Sequence, residues 1–589
     1  MKNITPENIL LVGSGMLLLS IFAGKMSSRF GVPSLLLFLL VGMLMGTDGL
    51  GYHFDNVYAT QFVGIMALSV ILFSGGMDTR ISDVKPIVGE GLVLATFGVV
   101  ATAALTGACS LQETPEFFVN RSNFYRNKSE CIAGLNSCYI PLKTIYNFNF
   151  GVMTEGVTDL LFHNSPTVYD SRLEISPALP GYGATVWTQG YKAVMYCNAA
   201  IEGIKKATVS EEDRRKLLAE GVILRAMYYY LLTSVFGDVP FYTIDVSTEE
   251  LLNQTARLPR MPAAETRDYL IGELMTMVPD LDQVRSSEVA DNRMGAAVGW
   301  MLAAKMAMWN KQWDTALEAL AELEKIYGTL DQYPLSDIPF RMKNPPESIL
   351  EIQHTYTSGG LIYTSNYACI CMPNQTTQES GTDVFDGVKI EELGDDANVW
   401  PGMRPNLVFS AGLQTRTGGD RRVEMNLAWE YGGQEVKSVG TRPWLGPKFW
   451  CPGMRDSYDS NNYKVFRYAD AVLMAAECWC MKENLEQTKY YLNQVKERAG
   501  IAAFTVFKSW ERTLEEIQNE RARELIGEFQ RKFDLVRWGI WYTKTLESAD
   551  YETVRNAILP CHEYYPIPDT QVVYSGYALD NKEYEKYGL

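Results

Sequence analysis

Hydrophobic residues follow two different patterns along this chain of 589 residues. The first 108 residues carry four apolar runs that are almost free of charge, at residues 9–24, 33–46, 61–73 and 91–108. Each run is close to the roughly 20 residues that a helix needs to cross the hydrocarbon of a bilayer. Four such runs joined by short polar segments predict about four transmembrane helices.

From residue 109 onward the apolar positions have the period of amphipathic helices. Residues 211–241 repeat Leu217, Leu224 and Leu231 on one helix face, and Gly237 is predicted to end this helix. No later window is both long and apolar enough to predict a further membrane span. The chain therefore changes from membrane sequence to a mainly helical body with polar faces.

Two segments of this body predict helical hairpins. Residues 294–328 predict two helices joined near Asn310, with a Trp/Ala/Leu pattern similar to a tetratricopeptide hairpin. Residues 466–500 predict a second pair, with Gly500 at its end.

The segment 331–462 has a different pattern. It is rich in Gly, Pro, Asn, Thr and Tyr and has few runs of helical period. An irregular segment of this length in a folded domain is usually functional or partly strand-forming. We therefore predict binding loops with short strands, and residues 347–356 are the best strand candidate.

The net charge of −17 is unevenly distributed. Residues 1–108 contain five Lys/Arg and six Asp/Glu, a net of −1, so the remainder carries −16. An acidic body argues against nucleic acid as a partner and fits neutral ligands. Lys and Arg occur in the first and third joints between the apolar runs, which predicts that these joints are cytoplasmic and that Cys109 follows on the opposite side.

The first region resembles the NhaP-type potassium/proton antiporters. The resemblance covers about residues 1–107, with motifs in family order at residues 30–33, 46–51 and 74–79. It implies that the ion-binding carboxylates belong to later, broken helices, which have no counterpart here. We expect Asp78 to be a polar helix end and residues 1–108 not to transport ions by themselves.

The second region, residues 109–589, resembles the SusD/RagB nutrient-binding lipoproteins of Bacteroidetes. The motifs that carry this resemblance occur in family order at residues 186–204, 220–241, 466–477, 492–500, 517–539 and 564–572. The resemblance implies a mainly α fold, a superhelix of tetratricopeptide-like pairs with long loops and a little β structure. We divide it into an N-terminal region, 109–300, and a C-terminal region, 301–589, which contains the loop-rich insertion 331–462.

The same resemblance implies a function. Proteins of this family are glycan-binding lids on outer-membrane TonB-dependent transporters of the SusC type. The expected ligand is an oligosaccharide or another nutrient, and the expected location is the outer membrane. The alternative, a membrane cation/proton antiporter, rests only on the first region, which we expect to be incomplete and inactive.

Cys109 has the local sequence of a lipoprotein N-terminus. Small residues precede it at 106–108, and a polar run follows at 110–118. A lipoprotein signal is normally about twenty residues long, whereas 108 residues precede Cys109, and the nearer ones include Asp83 and Glu90. We expect a junction of two unrelated sequences here, either a natural fusion or an assembly error.

Two locations follow from this junction. If Cys109 is lipidated, it anchors the body in the outer membrane, which we favour because the body carries the recognisable function. If the chain is made as written, its four helices hold it in the inner membrane with the helical body in the periplasm.

Residue types typical of catalysis or metal binding are sparse. The histidines His53, His163, His354 and His562 lack the spacing of metal ligands, so we interpret them as solvated or core residues. The pairs Cys369/Cys371 and Cys478/Cys480 are spaced C-x-C and are interpreted as small buried apolar residues. We predict no metal, no cofactor and no enzymatic activity.

A glycosidase would need two carboxylic acids in a cleft. The run 519–524, NERARE, could supply them. The spacings of Glu520–Arg523 and Glu528–Lys532 instead fit ion pairs on a helix face, and we prefer this structural interpretation.

Aromatic residues in the irregular segments are the candidate binding residues. Neutral sugars present C–H faces that stack on aromatic rings, while nearby Asn, Arg and Asp side chains bind hydroxyl groups. Each ring could alternatively fasten a loop to the core, and Trp187 is expected to be a core residue. The candidates are Tyr169, Tyr182, Tyr363, Tyr367, Trp400 and Trp444.

Overall fold

A computed structural model describes residues 124–589 apart from short gaps, and five residues before them. The gaps are residues 166, 357–362, 374, 378–382, 386–387, 390–397, 415–418, 432–433 and 436–441. The chain divides into two units, Met1–Phe118 and Val119–Leu589. The predicted boundary at residue 109 and the division at residue 300 stay predictions.

The described residues of the first unit are few. They are Lys25 and two short parallel strands, β1 (Lys2–Asn3) and β2 (Tyr52–His53). The four predicted membrane helices and Cys109 lie outside the described residues. Among the helices that are described, none combines the length and the apolarity required to span a bilayer.

The second unit is mainly helical, as predicted. Its α-helices are α1 (Lys128–Ile145), α2 (Phe148–Glu155), α3 (Tyr169–Arg172), α4 (Gly183–Lys206), α5 (Glu211–Phe236), α6 (Glu249–Ala256), α7 (Ala263–Met277), α8 (Ala296–Trp309), α9 (Trp313–Tyr327), α10 (Ala368–Cys371), α11 (Leu407–Gln414), α12 (Val423–Asn426), α13 (Tyr468–Met481), α14 (Leu485–Arg498), α15 (Trp510–Leu525), α16 (Arg531–Arg537), α17 (Trp541–Ser548), α18 (Glu552–Ala557), α19 (Asp569–Tyr574) and α20 (Lys582–Glu585). Short 3-10 helices lie at Val278–Asp280, Ser286–Glu288, Ala290–Asn292, Leu330–Gln332, Leu335–Asp337 and Pro560–Glu563.

Helix α5 shows how the local sequence sets these limits. The Ser210 side chain accepts a hydrogen bond from the Asp213 N–H at 3.1 Å, which caps the first turn. Acidic residues follow in that turn, where they interact favourably with the helix dipole. The helix ends at Gly237, whose φ of +70° is a conformation that glycine adopts most easily. Both the helix and its end were predicted correctly.

The helical hairpins are also confirmed. α8 and α9 form one pair and α13 and α14 the other, and α9 packs against α13, so the two pairs stack. α4 with α5, and α7 with α8, continue the series toward the N-terminal side. Gly500 follows the second pair at φ +79°. One continuous hydrophobic core runs through these helices and includes Trp187, which is buried as expected.

The strands are short. They are β3 (Leu161–His163), β4 (Ser348–Ile352), β5 (Gln375–Thr377), β6 (Asp383–Phe385), β7 (Val388–Lys389), β8 (Met403–Pro405), β9 (Leu427–Ala428), β10 (Glu430–Tyr431), β11 (Gln434–Glu435), β12 (Trp444–Leu445) and β13 (Tyr463–Arg467). β4 pairs antiparallel with β13, and every residue of both strands is buried. The strand predicted within residues 347–356 is therefore confirmed, and so are short strands in the loop-rich segment.

Buried carboxylates connect the N-terminal and C-terminal parts of the second unit, and Glu155 is one of them. Glu155, at the end of α2, accepts hydrogen bonds from the N–H groups of Gly527, Gln530 and Arg531 at 3.1, 2.7 and 3.0 Å. Burial raises the pKa of Glu155 to about 7 against the opposing effect of these donors. The same regions meet again where the Trp541 indole N–H donates to the carbonyl oxygen of Val157 at 2.9 Å.

Candidate functional site

The structure separates the six candidate aromatic residues into two groups. Tyr363, Trp400 and Tyr169 are 54%, 48% and 44% exposed. The other three are half-buried or buried. The first group is the more exposed, and a stacking sugar requires an accessible ring surface.

Tyr182 fastens a loop. Its hydroxyl group donates to the carbonyl oxygen of Thr144 at 2.7 Å and accepts from the Asn147 side chain at 2.6 Å. Its backbone N–H donates to Asp170 at 3.0 Å. These contacts attach the loop before α4 to the junction between α1 and α2.

Tyr367 and Trp444 are core residues, each 1% exposed. Tyr367 packs against Phe529 with ring centroids 4.9 Å apart. The guanidinium group of Arg404 covers the Trp444 ring at 3.3 Å from its centroid. Neither ring has a free face for a ligand, so the structure corrects these two candidates to residues that fasten loops to the core.

Trp400 lies over a cleft of about 590 Å³, which we call the Trp400 cleft. The Trp400 backbone N–H donates to the carbonyl oxygen of Cys369 at 2.8 Å, which fixes the indole beside α10. Its ring meets the Phe148 ring edge-on, with centroids 6.5 Å apart. The cleft therefore has an aromatic wall with one indole partly open to solvent.

The polar part of the Trp400 cleft comes from the turn after β3. Strand β3 pairs with β8, and the Asn164 N–H continues this pairing to the carbonyl oxygen of Gly402 at 3.0 Å. Ser165 and Thr167 follow in the wall, with their hydroxyl oxygens 3.0 Å apart. Arg404, on β8, also lines the cleft.

His163 contributes an uncharged ring to this cleft. Burial lowers its pKa to about 4, so the imidazole is neutral near pH 7. Its Nδ1 atom has no hydrogen-bond partner among the described residues. None of the described residues that line the Trp400 cleft is Asp or Glu. The cleft thus offers neutral donors and acceptors and one guanidinium group.

The other two exposed rings lie near this region. Tyr169 begins α3, directly after Thr167 and Val168 of the cleft wall. The Lys143 ammonium lies 4.9 Å from the centroid of the Tyr363 ring. Lys143 belongs to the end of α1 and Phe148 to the start of α2, so Tyr363 and Trp400 both contact the same helix junction.

The histidines and cysteines are distributed as core residues. His163, His354 and His562 are buried, while nothing is described of the His53 side chain. Cys369, Cys371, Cys478 and Cys480 are buried free thiols. Within the described part of the chain, no three His, Cys, Asp or Glu side chains are grouped closely enough to hold a metal ion.

The charged run at 519–524 belongs to a buried network of ion pairs. Glu524 accepts from Arg422, Arg467 and Arg498 at 3.0, 3.1 and 2.6 Å. Burial would raise the pKa of Glu524, but these three guanidinium groups lower it well below its usual range. A carboxylate surrounded in this way is structural and cannot serve as a general acid.

One of the two predicted ion pairs exists. Glu520 pairs with Arg523, as predicted, although both are buried and do not lie on a solvated face. The Glu528–Lys532 pair was wrong, because Glu528 binds Lys448 at 2.7 Å. Lys532 instead donates to the carbonyl oxygen of His562 at 2.9 Å.

Several residues of the Trp400 cleft were not found from the sequence. The polar run at 163–167 begins at the last residue of β3 and contains a proline, which is a signal for a loop but not for a site. Arg404 stands close to Trp400 in the sequence, and that proximity was the one available hint. Phe148 carried no such signal, since its contact with Trp400 spans 252 residues.

Comparison with sequence families distinguishes the two regions. The model described as "SusD family" matches residues 452–584, and the one described as "Starch-binding associating with outer membrane" matches residues 164–274. The model "Sodium/hydrogen exchanger, transmembrane" matches residues 16–124, which extends past Cys109.

Individual relatives agree with these matches. A SusD-like protein of Formosa agariphila is 24% identical over 526 residues, which are 78% of this chain and 92% of that protein. The NhaP2 potassium/proton antiporter of Shewanella baltica is 42% identical over 102 residues, which are 17% of this chain. The chain spans only 18% of that antiporter's length.

A solved structure shows the same fold as the second unit. Surface glycan-binding protein A from Bacteroides thetaiotaomicron, in complex with laminarihexaose, matches with a TM-score of 0.60 and 20% sequence identity. The match covers 77% of this chain and 99% of that one. Both resemblances drawn from the sequence are confirmed, the one to the antiporters over about the first hundred residues.

Proposed function

We propose that residues 119–589, which are SusD-like in sequence and fold, bind glycans without chemically changing them. The observation that carries this proposal is the exposed Trp400 ring in a cleft that is also lined by neutral polar side chains. The Bacteroides thetaiotaomicron protein with the same fold was solved with an oligosaccharide bound. The ligand of this chain is an oligosaccharide, bound in the Trp400 cleft.

Binding in this cleft combines two physical effects. The C–H face of a pyranose ring stacks on the Trp400 indole and buries apolar surface. The hydroxyl groups of the sugar give up hydrogen bonds with water and form hydrogen bonds with the protein. The protein groups are those of Asn164, Ser165, Thr167 and Arg404, and each such exchange contributes about 0.5–1.5 kcal/mol to the binding free energy. Since each of these gains is small, we expect weak binding that increases with the number of sugars contacted.

The composition of the cleft disfavours hydrolysis. Glycoside cleavage generally requires two carboxylic acids beside the scissile bond, and the described lining of the Trp400 cleft contains none. The neutral His163 has no carboxylate among the described lining residues that could orient it as a general base. These observations support a binding protein and not an enzyme.

The second part of the proposal concerns partner and location. SusD-like proteins are associated with the outer membrane, as the description of the family matched at 164–274 states. We propose that a lipid on Cys109 anchors the helical body there and that it delivers glycans to a SusC-like TonB-dependent transporter. Residues 1–108 correspond to a small part of an antiporter, and we assign them no transport activity.

The binding proposal is tested by Trp400→Ala in the full chain, with a glycan selected from an array of neutral oligosaccharides. Loss of one stacking ring is expected to cost about 1 kcal/mol, close to fivefold in Kd. Tyr577→Ala is the matched control, because Tyr577 is an exposed ring, 75% accessible, outside the Trp400 cleft. Isothermal titration calorimetry measures Kd, and mass spectrometry of the recovered glycan measures its integrity.

Three results would contradict the proposal. They are an array without any bound glycan, shortening of the bound glycan during incubation, and equal affinities of the Trp400→Ala and wild-type chains. A loss of affinity in Tyr577→Ala that matches the loss in Trp400→Ala would also remove the assignment to this cleft.

A further inference from the structure

A second cleft, of about 440 Å³, is lined in part by the last turns of α1, and we call it the Lys143 cleft. Its walls are α1, the turn at residues 291–294 and the end of β4 at residues 350–353. Ile132, Leu142 and Ile352 give it an apolar floor. Asn136, Asn292 and Gln353 add neutral polar groups at its edge. This combination of an apolar floor and a few polar groups is typical of a small-ligand site.

The ammonium group of Lys143 is unusual in this cleft. The Nζ atom is shielded from solvent and has no hydrogen-bond partner among the described residues. Its one described contact is the face of the Tyr363 ring, at 4.9 Å from the centroid. Burial lowers the pKa of Lys143, because a desolvated cation without a counter-ion is unfavourable. An anion placed beside Nζ would remove this cost.

The second cation of the cleft is, by contrast, already neutralised. Arg293 binds Glu220 through two nitrogen atoms, at 2.8 and 3.1 Å, and also contacts Asn136. Tyr139 donates its hydroxyl proton to the same Glu220. The buried Glu351 of the opposite wall is bound to Lys464 at 2.8 Å. The positive charge that remains uncompensated in the described walls is therefore that of Lys143.

The wider surroundings add positive charge. Lys343 donates to the carbonyl oxygen of His354 at 2.7 Å. Burial lowers the pKa of His354, and the charges of Lys143 and Lys343 lower it further. Asp291 is an exposed carboxylate at the rim. Among the described charged residues that line the Lys143 cleft, Arg293 and Glu351 are paired with Glu220 and Lys464, so Lys143 is the cation to which an anionic ligand can bind.

We propose that the Lys143 cleft is a second carbohydrate subsite that selects sugars bearing a carboxylate, such as uronic acids. Once the Tyr363 ring moves off Nζ, Lys143 pairs with the carboxylate, and the same ring, 54% exposed, contacts the sugar. This inference rests on the proposed glycan binding and adds a ligand class to it. Lys143 of this cleft and Phe148 of the Trp400 cleft are five residues apart in sequence, on either side of the α1–α2 junction.

The test compares each acidic oligosaccharide with its own methyl ester. An array carries free uronate oligosaccharides beside the fully esterified forms, which have the same sugars and linkages without the charge. The full wild-type chain is expected to bind a free acid about tenfold more tightly than its ester, the effect of one charge-assisted hydrogen bond. Added salt should reduce this preference, since it screens a partly exposed ion pair.

Lys143→Met removes the charge and keeps the length of the side chain. It should abolish the preference for the free acid without lowering Tm, because the ammonium has no hydrogen-bond partner to lose. Lys205→Met is the matched control, since Lys205 lies on α4 in an exposed pair with Glu202. Trp400→Ala should weaken both forms equally and keep the preference.

The outcomes separate this inference from the proposed function. Equal binding of acid and ester by the wild type, or a preference that Lys143→Met retains, overturns the inference while glycan binding stands. Absence of all glycan binding overturns both. Binding of an acidic hexapeptide that depends on Lys143 and exceeds that of every uronate overturns the assignment to carbohydrate.

Discussion

Replacing Glu524 by Gln is expected to destabilise the second unit markedly. The change keeps the size of the side chain but removes a negative charge that Arg422, Arg467 and Arg498 share. All four side chains are at most 4% exposed, so water cannot replace the lost partner. Each of the three guanidinium groups keeps another buried carboxylate, but the cluster loses one negative charge in a medium of low polarity. The remaining partners are Asp420 and Glu520 for Arg422, Glu347 and Glu528 for Arg467, and Glu347 for Arg498.

The size of the effect follows from this geometry. Breaking a buried ion pair by removing one partner typically costs about 3–5 kcal/mol. The unfolding entropy of a unit the size of Val119–Leu589 is on the order of 1 kcal/mol per kelvin, so Tm should fall by about 3–5 °C. Glu515→Gln, on the same helix, is the matched control because its pair with Arg512 is exposed, and it should cost under about 1 kcal/mol.

Differential scanning calorimetry at several pH values measures this prediction. The pKa of Glu524 is lowered in the folded state, so its contribution is complete above the unfolded value near 4.5 and is lost as the pH falls below that. The difference in Tm between wild type and Glu524→Gln should therefore shrink in acid. A decrease no larger than that of Glu515→Gln, or a difference independent of pH, would refute the electrostatic explanation.

Two further predictions concern the anchor and the histidines. Mass spectrometry of the protein from its native membrane should find a diacylglyceryl group on Cys109, whereas an intact Met1 peptide in inner-membrane fractions would contradict the outer-membrane assignment. The ring protons of His163 and His562 should not shift in NMR spectra between about pH 5.5 and 8, because burial lowers both pKa values to about 4. Their contribution to stability is present above the unfolded pKa near 6.5 and is lost as the pH falls toward 4, and a titration midpoint near 6.5 would show that the rings are solvated.

The helices could be predicted from the sequence because residues close together in the chain determine where a helix forms and ends. Apolar residues at helical spacing and glycines at the helix ends predicted α5 and both hairpins, and the structure agrees. In the loop-rich segment 331–462, the sequence predicted the strand β4 and the presence of further short strands, but not their positions. The other strands of this segment are two or three residues long, too short for an alternating pattern to be recognised, and β8 pairs with the distant β3.

The candidate site was predicted less well for a related reason. Composition cannot distinguish a tryptophan that faces a cleft from one that a distant arginine covers. Trp400 and Trp444 stand in similar Pro/Gly-rich surroundings, yet one is 48% exposed and the other 1%. The same limit explains the wrong partner for Glu528, because helical spacing predicts Lys532 and tertiary packing supplies Lys448.

The carboxylate of Glu155 has a consequence for how the chain is made. Its three backbone donors lie 372 to 376 residues later in the sequence. While the polypeptide emerges from the ribosome, the N-terminal helices have no partner for this buried oxygen pair until residues 527–531 have been synthesised. A product that ends before residue 527 therefore lacks all three donors, and burial of the Glu155 carboxylate in it would cost free energy that the full chain does not lose.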